Sequence, residues 1–233
     1  MKEQTRETSC SPLESGIREI LTDPGNAVDK LYKYIREIEL FNDAYGLVKA
    51  ADRNELIVKH ILDSIAPVKI IENHFENIFP ASLRLCVKEK LQIADVGSGA
   101  GLPGIPLAIC MPQTGFTLIE RMGRRAGFLR NCAAVLELSN VTVEETEMEK
   151  ADPGRFDAVV FRAFRPLTPD ILKGLFRLPG PRGFLAAWKG RHETALDEIV
   201  KAGQSLPEMR FEIKPVYVPC LDGERCLVLA WRT

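Results

Sequence analysis

The residues best placed to do chemistry in this 233-residue chain form one loop, Asp95-Val-Gly97-Ser-Gly99-Ala-Gly101-Leu-Pro-Gly104, with the acid Glu120 following nineteen residues after Gly101. Three glycines at alternating positions let the backbone turn sharply and let a ligand approach it closely. A phosphate-cradling P-loop needs Lys and Ser/Thr after its last glycine, but Ile105 and Pro106 follow Gly104. A dinucleotide fingerprint needs glycine at 97, 99 and 102, and position 102 is Leu102, whose side chain would crowd a pyrophosphate. What remains is acid-x-GxGxG, followed by an acid able to accept both hydroxyls of a ribose.

The elements around the loop read as alternating strand and helix. Leu91–Val96 is a short apolar run ending at glycines, as in a buried parallel strand. A helix is expected from Pro103 to Met111, a strand at Phe116–Glu120 and a helix at Gly123–Leu138. Strands follow at Val141–Glu144 and Phe156–Phe161, then a helix at Pro169–Leu178, an extended run at Gly183–Lys189 and a helix at Glu193–Ala202. Met209–Val218 and Cys226–Trp231 are two closing extended runs. This order predicts a doubly wound α/β sheet, with the glycine loop at its carboxyl edge, where ligands bind.

Before residue 90 no strand pattern appears. Leu31, Ile35, Ile38 and Phe41 recur at helical spacing after the start signal Asp23-Pro24-Gly25-Asn26. A second helix is expected over Asn54–Ala66, stopped by Pro67. The chain is therefore expected to divide into a helical N-terminal extension, 1–90, and an α/β domain, 91–233.

Composition narrows the class. Lys+Arg 31 against Asp+Glu 32 excludes a uniformly basic nucleic-acid binder, though not a local basic face. Residues 91–119 carry one charge, Asp95, whereas 120–191 carry 13 basic and 9 acidic groups, net +4. No apolar run is long enough for a membrane helix. The six cysteines form no CxxC pair, so neither a metal site nor a disulfide framework is expected, and a reducing cytoplasm is. His74 and His192 stand outside any constellation, while His60 and Asp63 read as a hydrogen-bonded helix-packing pair.

The acid-x-GxGxG pattern resembles motif I of the S-adenosylmethionine methyltransferases, in which Asp95 would orient the loop or meet the ammonium of the methionine moiety. The full string Asp95-Val-Gly-Ser-Gly-Ala-Gly-Leu-Pro-Gly-Ile-Pro-Leu-Ala-Ile109 resembles a narrower group, the glucose-inhibited division protein B (RsmG) family. Val58-Lys-His-Ile-Leu-Asp-Ser64, Arg124-Arg125-Ala-Gly-Phe128-Leu129, Arg162-Ala163-Phe164, Trp188-Lys189-Gly190 and Leu221-Asp-Gly-Glu-Arg225 extend the likeness over roughly residues 30–230. One departure is Gly46 in Phe41-Asn42-Asp43-Ala44-Tyr45-Gly46-Leu47-Val48, where the family has a second asparagine.

The resemblance implies a class I, Rossmann-like methyltransferase fold with a seven-stranded, mostly parallel sheet and helices on both faces. Its activity would be methylation of guanine N7 in small-subunit (16S) ribosomal RNA. Carried over, it puts Gly97, Gly99, Gly101 and Leu102 against the cofactor and Glu120 on the ribose. Met148 and Glu149 would border the adenine, and Arg162 would lie beside the cofactor and position the reaction. N7 carries a lone pair, so no general base is expected.

The segment Phe161-Arg162-Ala163-Phe164-Arg165-Pro166 lacks the Asn/Asp-Pro-Pro-aromatic string that amino-group methylation uses. Its arginine offers donors suited to guanine O6/N7 or to phosphate. Cys110-Met111-Pro112 is on the wrong strand connection for pyrimidine C5 chemistry. Arg124, Arg125, Arg165, Lys189 and Arg225 are the candidate RNA contacts, although Arg225 reads equally as a partner of nearby acids. The expected partner is ribosomal RNA or an assembling small subunit, met as a monomer. Rival readings are a methyltransferase acting on a protein or small molecule, a nicotinamide oxidoreductase, and a non-catalytic nucleotide-binding module.

Overall fold

The computed structural model describes residues 11–78, 90–162 and 166–233. Its N-terminal part is helical. Helix α1, Pro12–Ile20, starts at Ser11, whose hydroxyl accepts from the Glu14 amide, with proline in the first turn where no N–H is needed. Helix α2, Ala27–Tyr45, buries Leu31, Ile35 and Ile38 as their spacing predicts, and stops at Gly46 in the left-handed conformation (φ 58°). Asparagine and glycine are the two residues most at home there. The departure at Gly46 thus preserves a helix terminus.

A continuous helical run, here α3, comprises Arg53–Leu56, a π-helical stretch Ile57–Leu62 and Asp63–Ile65. Pro67 ends it as expected, yet the same residue opens α4, Val68–Ile78, its carbonyl accepting from the Ile71 amide at 3.0 Å. A proline that breaks one helix suits the first turn of the next.

The rest builds the sheet: β1 Gln92–Val96, α5 Gly104–Cys110, β2 Gly115–Ile119, α6 Gly123–Val135, β3 Val141–Glu144, β4 Phe156–Arg162, α7 Pro169–Leu175, β5 Pro179–Lys189, α8 His192–Ser205, β6 Met209–Pro215 and β7 Cys226–Arg232. The seven strands lie in the order β3-β2-β1-β4-β5-β7-β6. All pairs are parallel except those of β7. This is the class I methyltransferase arrangement that the resemblance implies. Strand β5 begins four residues earlier than the sequence predicts, because Pro179 pairs with Phe156 across a register shift.

Side-chain alternation divides the interior into two layers. Ile93, Phe116, Leu118, Val160, Phe184 and Leu229 face one side, in a single apolar cluster with residues of α1–α6. Val96, Ile119, Val159, Leu185 and Val228 face the other, against α7 and α8. The N-terminal helices thus share one core with the sheet. Among the described residues no helix is long and apolar enough to cross a membrane.

Candidate functional site

The β1 loop is held open by its own backbone. Gly97, Gly99 and Gly101 have φ of 69°, 58° and 92°, a region other residues enter only with strain. The amides of Gly97 and Ser98 donate to the Ile119 carbonyl, and those of Gly101 and Leu102 donate to Ser98 O. Leu102 is buried, and its amide turns inward.

Two carboxylates brace this loop. Glu120, directly after β2, is 5% exposed; its Oε2 accepts the Gly99 amide and its Oε1 the Met122 amide, both at 2.9 Å. Each oxygen retains a second lone pair, so the group is oriented for two hydroxyls without being exhausted. Asp95 is buried at the end of β1, and its Oδ2 accepts the Gly104 amide at 2.9 Å. Burial pushes its pKa up to about 7, partly opposed by the Gly104 amide. Its Oδ1 is buried without a hydrogen-bond partner among the described residues.

These features fit S-adenosylmethionine. A Cβ on Gly99 would meet only Gly97 O, at 3.8 Å, so the space over the loop is open to a ligand. The unpaired Asp95 oxygen suits a cationic group once its carboxyl is ionised, and Glu120 suits a ribose.

Sheet register sets Val160 of β4 opposite Asp95, with Arg162 two residues further toward the carboxyl edge. The Arg162 guanidinium donates from Nη1 to Asp63 Oδ2 at 2.8 Å and to the carbonyls of Lys59 and His60. Its Nη2 lies 2.6 Å from His60 Nδ1. A guanidinium has no acceptor, so Nδ1 must be the unprotonated nitrogen. Nε2 then carries the proton and donates to the Lys49 carbonyl at 3.0 Å. Burial, then the Arg162 charge, holds the His60 pKa below its ordinary value. On its other oxygen, Asp63 accepts from Arg225 Nε at 2.9 Å. Of the two readings of Arg225, pairing with a nearby acid is the one observed.

The remaining candidates scatter. Met148 and Glu149 form a short 3₁₀ turn after β3. The Met148 methyl lies so close to Gly174 of α7 that a Cβ there would sit 3.0 Å away, and Glu149 is exposed. Arg124 and Arg125 occupy the first turn of α6; Arg124 is exposed, and Arg125 Nε is buried without a partner among the described residues. Lys189 turns toward α8 and pairs with Glu198 at 2.6 Å. Arg165 and Phe164 lie outside the described residues. No group of three His, Cys, Asp or Glu among the described residues is placed to hold a metal.

Sequence reasoning did not find Asp63 as the bridge between two guanidiniums. Nor did it find Tyr34, whose hydroxyl donates to the Ala100 carbonyl of the loop at 2.7 Å.

Comparison with known proteins completes the picture. The family model for rRNA small subunit methyltransferase G matches residues 27–228. The ribosomal RNA small subunit methyltransferase G of Treponema denticola is 38% identical over 224 residues, covering 88% of this chain and 86% of that protein. Its namesake in Escherichia fergusonii is 37% identical over 206 residues, covering 86% and 87%. A solved SAM-dependent methyltransferase of Aquifex aeolicus is 19% identical with a TM-score of 0.45, covering 70% of this chain and 97% of that one. On the family match and the first two relatives, the chain belongs to the rRNA small subunit methyltransferase G family.

Proposed function

We propose that this chain transfers the methyl group of S-adenosylmethionine to N7 of a guanine in small-subunit (16S) ribosomal RNA, in the cytoplasm and as a monomer. The observation that carries the reading is a juxtaposition at the carboxyl edge of the sheet. The braced glycine loop and Glu120 lie on β1 and β2, and Arg162, pinned by α3, lies on the adjacent β4. Ligands of open α/β sheets bind at the edge where the strand order reverses, here between β1 and β4.

When bound, the cofactor supplies an electrophilic methyl carbon on a positively charged sulfur; the N7 lone pair takes the methyl as that carbon–sulfur bond breaks. The protein's part is positioning. Glu120 orients the ribose, Asp95 and Gly97–Leu102 hold the methionine end, and Met148 and Glu149 border the adenine. On Arg162, the Nε hydrogen and the Nη2 hydrogen that is not given to His60 have no partner among the described residues. These suit guanine O6. Holding N7 in line at about 3–3.5 Å supplies most of the rate. Arg124, Arg125 and Arg165 contact RNA phosphates, whereas Arg225 is engaged by Asp63. Lys189 is likewise engaged, by Glu198.

The test is methyl transfer from labelled S-adenosylmethionine to small ribosomal subunits lacking the modification, mapped by cleavage at 7-methylguanosine. Label at one cleavable guanosine is expected. Cofactor binding with no label in RNA would move the acceptor to a protein or small molecule.

A further inference from the structure

Arg162 is held in place by side chains and carbonyls of α3, on the other side of the interface from its own strand. Within one turn, α3 presents the Lys59 and His60 carbonyls, the His60 ring and the Asp63 carboxylate to a single guanidinium. That turn lies in the π-helical stretch and the residue after it. Such wide turns are rare and concentrate at functional sites. Asp63 reaches further. Its backbone carbonyl accepts from Trp188 Nε1 at 3.0 Å and its second oxygen from Arg225. One residue therefore ties the ends of β4 and β5 to the segment leading into β7, three neighbouring strands of the sheet.

The charges do not balance. Arg162 and Arg225 share one carboxylate beside a neutral imidazole, so the cluster keeps one surplus positive charge. The Asp63 side chain is 8% exposed and that of Arg162 13%. A buried ion pair is poor evidence of a purely stabilising role, since apolar residues of the same volume often do as well. A guanidinium whose plane is set by four contacts is oriented in a way a lysine could not match.

We propose that His60 and Asp63 are positioning residues of the methyl-transfer site, acting through Arg162. The inference rests on Arg162 belonging to that site. It makes α3 part of the machinery, with His60 acting through its unprotonated Nδ1. Protonating Nδ1 would set an N–H against the Arg162 N–H and break the clamp. The charged groups facing His60 are Arg162 from β4 and Asp63 and Glu55 from α3, with the Lys49 carbonyl on its far nitrogen.

The experiment uses the full chain, with labelled S-adenosylmethionine and unmodified small ribosomal subunits, and four variants. His60→Ala and Asp63→Asn should lower kcat at least tenfold while KM for S-adenosylmethionine stays within threefold. His60→Asn places an oxygen acceptor where Nδ1 stood, so it should restore kcat to within threefold of wild type. It should also lack the acid limb expected of wild type, which falls below the ordinary imidazole pKa of ~6.5 because burial and Arg162 lower that of His60. A merely structural histidine predicts neither the rescue nor the altered profile. Wild-type kcat in His60→Ala and Asp63→Asn, both melting as wild type, together with an inactive Arg162→Ala, would overturn the proposal. Wild-type kcat in Arg162→Ala would instead remove Arg162 from the site. Should Asp63→Asn not fold, the half-buried His60→Ala decides.

Discussion

The phenol of Tyr34 on α2 donates to the carbonyl of Ala100 in the β1 loop, 66 residues along the chain, at 2.7 Å. Both residues are buried in the cluster that joins the N-terminal helices to the sheet. The loop conformation is therefore fixed partly from outside the βαβ unit that contains it. Tyr34→Phe keeps the ring and leaves a buried carbonyl unpaired, which costs about 1–2 kcal/mol. Denaturant unfolding should show that loss, and titration with S-adenosylmethionine should show affinity falling roughly three- to tenfold through a less organised loop. Unchanged values in both would make the bond incidental.

Gly104 gives a sharper case. A Cβ there would lie 2.5 Å from Asp95 Oδ2, the oxygen that accepts the Gly104 amide. Neither partner can move without releasing the loop or the strand end. Gly104→Ala should destabilise the fold by about 1–3 kcal/mol and weaken S-adenosylmethionine binding at least tenfold. Gly127→Ala is the control, since nothing lies within 4 Å of its added Cβ. It should match or slightly exceed wild-type stability, as an alanine inside a helix does.

The sequence makes the sheet and its loop readable because their signals are local. Apolar runs ended by glycine, an acid after β2 and alternating helices all fall within short windows. The clamp on Arg162 is invisible there, since its partners are about a hundred residues away, as with Asp63 at a separation of 99. The π-helical turn is equally hidden, because Ile57, Ile61 and Leu62 present apolar spacing that suits an ordinary helix. Lys189 was within reach of the pattern. Its neighbour Trp188 packs with the α1–α6 layer, so period-two alternation sends Lys189 to the side of α8 and Glu198. Helix α1 falls inside the segment that reads as helical, but its buried Leu13, Gly16 and Ile17 are too few to give it bounds.

Asp95 should make stability depend on pH in an unusual direction. Its folded pKa of about 7 lies above the ~3.9 of an unfolded aspartate. The folded state thus holds a proton that the unfolded state has released. This group's contribution is fully present below about pH 4 and is lost as pH rises to about 7, by an amount on the order of 3–4 kcal/mol. Asp95→Asn keeps an oxygen for the Gly104 amide and removes the titration. Unfolding free energies from pH 5 to 8 should therefore show the variant gaining on wild type as pH rises. Parallel curves would show that Asp95 does not titrate in this range.

His74 acts in the opposite sense. Its ring packs at 4.5 Å from Phe184 and 5.0 Å from Trp231, and Nε2 is buried with no hydrogen-bond partner among the described residues. Burial holds its pKa below the ordinary value, with the nearby Glu212 opposing and Lys214 assisting. For a base lowered by folding, the unfolded chain takes up the proton first. The contribution is complete above the unfolded pKa of ~6.5 and is lost as pH falls below it. His74→Phe removes the titrating group and keeps an aromatic ring against Phe184 and Trp231. Between pH 7 and 5 the wild type should lose stability that His74→Phe retains, read as a melting temperature falling less steeply in the variant. Equal slopes would mean that the imidazole finds a partner when it is protonated, with Glu212, whose charge favours the protonated ring, the candidate.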